Sequence, residues 1–97
     1  MLTEAEIDNI AKQVATANLS TANVSGAIST PTTDPDGREA LQITIVLTQT
    51  PTASIKGSKL LDTLVQIQDQ LQQRGEERFP IVKFATRKEL EEEKRDS

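Results

Sequence analysis

The strongest constraint on this chain lies in residues 58–75, SKLLDTLVQIQDQLQQRG. Leu60, Leu64, Ile67 and Leu71 recur at the spacing of one helical face, and Leu61 and Val65 widen the stripe. Gln66, Gln68, Asp69, Gln70, Gln72 and Gln73 give the remaining surface to water. Ser58 is placed to cap the first turn, and Gly75 to end the helix in a left-handed conformation. Such a helix is about 25 Å long. Because only one of its sides is apolar, it needs a surface to cover, and the segments around it predict a sheet.

Those segments read in order. Thr3 and Glu6 form a capping-box pattern, with Leu2 and Ile7 spaced as a hydrophobic staple. They open a helix over residues 4–18 whose inward stripe is Ile7, Ile10, Ala11, Val14 and Ala17. Residues 21–30 predict a strand with Val24, Gly26 and Ile28 on one face. In residues 38–48, Leu41, Ile43, Ile45 and Leu47 alternate with Gln42, Thr44, Val46 and Thr48, predicting a second strand with one wet side. Residues 31–37 read as a longish hairpin loop in which Asp34, Pro35, Asp36 and Gly37 suit a type I turn. Residues 48–57 are a polar connection broken by Pro51. After a charged turn, Glu76-Glu77-Arg78, residues 79–84 predict a third strand, with Pro80 at its start or on an edge. Thr86 and Glu89 repeat the capping box and open a short helix at about 87–95. Its one large apolar residue is Leu90, and Glu91 is spaced to pair with Arg95, so it is expected to fray when isolated.

The order αββαβα predicts an α+β fold: a two-layer sandwich with a three-stranded mixed sheet and the two longer helices on one face. Residues 1–85 are expected to form a single compact domain, and residues 86–97 a charged C-terminal helix or tail. The 97 residues include two aromatics, so the core must be built from Leu, Ile, Val and Ala.

The formal charge is −4, unevenly placed: residues 1–55 hold two basic and six acidic side chains, residues 56–97 nine of each. That sign is wrong for a nonspecific nucleic-acid binder. No stretch is apolar enough to span a membrane, the acidic start lacks a signal-peptide pattern, and there is no cysteine. A cytoplasmic location is the expectation, which makes the glycosylation-type triplets at Asn18 and Asn23 chance matches.

The chain has no His, Cys, Tyr or Trp. It therefore lacks the usual base near neutral pH, a thiolate and the soft metal ligands, and neither an enzyme nor a cofactor nor a metal is expected. With Gly37 at position 6 of a calcium loop, the two key acidic positions fall on Thr32 and Ile43, so the segment is a turn. Lys56, Gly57, Ser58 and Lys59, at the start of the main helix, form a weak anion-site candidate, weighed against plain capping. The layout invites comparison with KH-type RNA-binding domains, but Leu60 stands where the second glycine of their clamp loop would be. A basic strip over residues 74–88 is the feature that keeps this reading open as the alternative.

The block GEERFPIVKFATRKELEEE, preceded by LLDTLVQI and LQITIV, resembles that of short bacterial proteins, some encoded beside HEPN-like ribonuclease toxins; the resemblance spans residues 38–93. It implies an antitoxin-like role and transfers no functional residue. The expectation is a small non-enzymatic protein-interaction module, antitoxin-like or otherwise binding a cognate partner. Its partner would be another protein or a second copy of itself, and neither nucleic acid nor a membrane is expected. Arg87, Lys88, Leu90 and Glu91 are the candidate partner-binding residues.

Overall fold

The computed structural model of the protein describes residues 2–49 and 55–95. The Pro51 break, the last two residues and the expected Glu91–Arg95 pair lie outside what is described. Six elements follow in the expected order: α1 (Glu4–Leu19), β1 (Val24–Thr33), β2 (Glu39–Leu47), α2 (Gly57–Gln73), β3 (Phe79–Thr86) and α3 (Arg87–Arg95). The sheet runs β1-β2-β3, with β1 antiparallel and β3 parallel to the central β2. The protein is thus α+β, with helices lying against an open three-stranded mixed sheet.

The first helix starts where the capping box requires. Thr3 Oγ1 accepts from the Glu6 N–H at 3.2 Å, and Glu6 Oε1 accepts from the Thr3 N–H at 3.2 Å. Its buried residues are Ile7, Ile10, Ala11, Ala15 and Leu19. Ala17, expected in that stripe, is exposed, and Ala15 and Leu19 take the inward positions. The helix ends on Ser20, whose φ of 82° and ψ of 154° lie where L-residues are strained.

The second strand supplies the centre of the core. Leu41, Ile43, Ile45 and Leu47 are buried on its helix-facing side, as the alternation predicts. Its other side is drier than expected, because Thr44 and Val46 are buried as well. Strand β1 departs further from the simple pattern. A bulge between Val24 and Gly26 sets Val24 opposite Leu47 but Gly26 opposite Val46, so the two face opposite sides of the sheet. Ala27 and Ser29 then point to the core side, opposite Ile45 and Ile43, and Ile28 points away from it. The hairpin is also longer and its turn tighter than expected: the strand continues through Pro31 to Thr33. Asp34 Oδ1 accepts from the Asp36 N–H at 2.9 Å and the Arg38 N–H at 2.8 Å, and Gly37 takes a φ of +85°.

The main helix is rotated relative to the predicted stripe. Thr63, Ile67 and Leu71 are buried, Leu60 and Leu64 are half-buried, and Leu61 and Val65 are 64% and 50% exposed. Thr63 replaces them on the inner face because its hydroxyl donates to the Lys59 carbonyl at 2.7 Å, which satisfies it without water. The helix packs chiefly on α1 and meets the sheet at β3. Its N-cap is Lys56, which gives no side-chain cap, so Ser58 lies inside the helix and does not cap it. Its far end closes as expected: Gly75 has a φ of +89°, the Gly75 N–H bonds the Gln72 carbonyl and the Glu76 N–H the Leu71 carbonyl. Ile55, in the stretch expected to be a polar connection, is a buried member of the core.

Candidate functional site

No cluster of three potential metal ligands occurs among the described residues, and no helix among them is long and apolar enough to cross a membrane. The features that could carry function are a charged clasp, an uncovered sheet face and the two charged segments singled out above.

The clasp forms just past the end of α2. The Schellman turn at Gly75 swings Glu76 inward, so that its side chain is fully buried. Glu76 Oε1 accepts from Arg78 Nη2 at 2.9 Å and from the Leu2 N–H at 3.1 Å. Glu76 Oε2 accepts from Arg78 Nε and from the Arg78 N–H, both at 3.1 Å. Arg78 Nη2 also donates to the Leu2 carbonyl at 3.3 Å. Residue 2 is thereby tied to the α2–β3 turn, which closes the two ends of the chain's core region on each other. The hydrogen bonds from Arg78 hold the Glu76 carboxyl at about 2, below its ordinary 4.5, against the opposing effect of burial. The Arg78 guanidinium is raised in turn, first by Glu76, with Glu39 and Glu4 adding a weaker pull. Sequence reading placed Glu76 in a solvated turn. A turn acid and a buried clasp acid have the same sequence signature, and only the fold brings Leu2 within reach.

Beside the clasp, between the end of α2 and the start of β3, is a cleft of about 620 Å³ lined by Gln68, Gln72, Glu76, Phe79 and Pro80. The buried Glu76 carboxylate in its wall is already hydrogen-bonded to Arg78 and Leu2, and the exposed Asp69 and Glu77 are the other carboxylates that line it.

The uncovered face is formed by residues alternating with the core. Ala40, Gln42 and Thr44 of β2 turn away from the helices, Ala40 and Thr44 buried and Gln42 half-buried, so the exposed apolar surface lies on the flanking strands; Thr44 lies opposite Ile28, Gln42 opposite Ile81 and Ala40 opposite Phe79. Ile28, Phe79 and Ile81 are 51%, 61% and 41% exposed. Sequence reading missed this face: Ile28 was expected to point inward, and no turn or charge signal distinguishes an outward Phe79 from a core one.

The predicted site residues sit apart from one another. Lys56, Gly57, Ser58 and Lys59 are all exposed at the start of α2, where the Lys56 carbonyl accepts from the Lys59 and Leu60 N–H groups. Arg87, Lys88 and Glu91 are exposed on α3, with Leu90 half-buried. That helix starts at its predicted box: Thr86 Oγ1 accepts from the Glu89 N–H at 3.2 Å, and Glu89 Oε1 accepts from the Thr86 N–H at 3.3 Å. Arg87 and Lys88 line a shallow recess with Ser25 and Thr48 at the end of the sheet.

No family model, curated protein or solved structure matches this chain.

Proposed function

We propose that this chain is a non-enzymatic protein-interaction module whose contact surface is the uncovered sheet face, continued by Arg87, Lys88, Leu90 and Glu91 of α3. The observation that carries the reading is the set of three large apolar side chains, Ile28, Phe79 and Ile81, held exposed on one face of the sheet. Their exposed halves forgo roughly 0.7–1.5 kcal/mol per side chain relative to full burial, which a partner would recover. An antitoxin-like or cognate-partner role is the concrete version, supported by the resemblance of residues 38–93 to short bacterial proteins of that setting. The KH-like alternative has less behind it, because an exposed face bearing one aromatic and a net charge of −4 suits neither base stacking nor phosphate contacts.

The test is capture of partners from the native host by the wild-type chain and by a Phe79→Ser/Ile81→Ser variant, followed by mass spectrometry. The two side chains are 61% and 41% exposed, and a circular-dichroism melt of the variant checks that its fold is kept. The partners retained by the wild type are expected to be lost from the variant. Equal capture by the two proteins would remove this face from the function.

A further inference from the structure

The third strand has a neighbour on one side only among the described residues, and its other edge is chemically patterned. The Pro80 carbonyl accepts from Gln68 Nε2 at 3.3 Å, and the Thr86 N–H donates to Glu89 Oε1 at 3.3 Å. Both groups therefore point away from β2. In a parallel ladder, alternate residues aim both backbone groups the same way, so Val82 and Phe84 present theirs on the outer edge too. A side chain from α2 and one from α3 thus bond the two ends of this edge, the Pro80 carbonyl keeping its second lone pair for a further donor, and its middle is left as a template for another strand.

The charges flanking that edge decide the direction in which a strand can add. Glu77 precedes β3 and is exposed; Arg87 and Lys88 follow it and are exposed. Acidic at one end and basic at the other, the edge is self-complementary in the antiparallel sense and self-repelling in the parallel sense. We infer that the occupant of this edge is a second copy of the same chain, paired antiparallel through β3 about a two-fold axis at Val82. This deepens the interaction-module reading and rests on it. In that register Val82 faces Val82, and the Phe84 N–H of each copy meets the Pro80 carbonyl of the other. Beyond the paired residues, the acidic end of each strand, preceded by Glu77, runs alongside the basic end of the other, where Arg87 and Lys88 open α3, twice by symmetry. The two three-stranded sheets become one of six strands, and the exposed Ile81 side chains become diagonal neighbours across the seam.

The inference is tested on the full chain by sedimentation across a concentration series at low ionic strength, where exposed charges still act over about 10 Å or more. The wild type is expected to sediment as a dimer that dissociates on dilution. Glu77→Lys or Arg87→Glu alone should weaken it at least tenfold, and the double charge reversal should restore it. Amide exchange at Val82 and Phe84 should slow by an order of magnitude as concentration rises, while that of β1 stays unchanged. A wild type that remains monomeric overturns the pairing, as does a dimer that neither single reversal weakens or one that leaves those two amides unprotected. A monomer that still captures partners through Phe79 and Ile81 defeats the self-pairing alone; a monomer that captures none through that face defeats the interaction reading as well.

Discussion

Glu76 accepts four hydrogen bonds, three from Arg78 and one from the Leu2 N–H. Its folded pKa of about 2 lies below the ordinary 4.5, so its carboxylate favours the folded state when ionised. That stabilisation is fully present above pH 4.5 and is lost as the pH falls through the interval from 4.5 to 2. It is on the order of 3 kcal/mol. Glu76→Gln keeps the side chain's shape and leaves the half-buried Arg78 guanidinium with only the weaker pull of Glu39 and Glu4, which costs roughly 3 kcal/mol at neutral pH. Denaturant melts across acidic pH should show the wild type losing stability over that interval and the variant showing a flatter profile. A second residue acts through its backbone: Ser20 ends α1 at a φ of 82° and a ψ of 154°, a region only glycine occupies without strain. Ser20→Gly is expected to raise stability by about 1 kcal/mol, after losing the contact from Asn23 Nδ2 to Ser20 Oγ. A melting temperature at or below that of the wild type would show that the end of the helix is not strained.

At the scale of elements, the rotation of α2 separates residues that look equivalent on a helical wheel. Ile67 is fully buried, and Ile67→Ala should cost about 2–5 kcal/mol by loss of burial and cavity formation. Leu61 belongs to the same predicted stripe but stands mostly in water, and Leu61→Ser should change stability by less than ~0.5 kcal/mol. Parallel unfolding curves for the two variants check both values, and a large loss at Leu61 would mean that the exposed flank is covered in solution. The helix turns this way because it packs on α1 rather than flat on the sheet, so its apolar arc meets a convex cylinder and only the centre of the arc is covered. The bulge in β1 has the same kind of consequence. One extra residue at Ser25 reverses the phase of every side chain after it, placing Ser29 inside and Ile28 outside.

For the whole molecule, the net charge and the absence of Tyr and Trp predict that generic RNA or DNA oligonucleotides bind no tighter than about 10 μM at physiological salt. Fluorescence anisotropy with labelled oligonucleotides measures this, and submicromolar, salt-dependent binding would favour the KH-like alternative. The architecture was legible because each element announces itself locally. The capping boxes at Thr3 and Thr86, the alternation from Leu41 to Leu47 and the glycine at position 75 each bias a few neighbouring residues by short-range hydrogen bonds and sterics. The candidate surface was not legible: exposure of Ile28, Phe79 and Ile81 depends on which side of the sheet the helices occupy and where the bulge falls.

The sequence by itself therefore determined the number, type and order of the elements and the strand that fills the core, since period and capping act within a few residues. The tertiary structure decided the rest. It set the outward turn of Ile28, the half-exposed flank of α2, the burial of Ile55 and the joining of Leu2 to Glu76 and Arg78 across more than seventy residues. Those features depend on contacts between segments far apart in the chain, and a periodic pattern records only that a face is apolar, not which neighbour arrives to cover it.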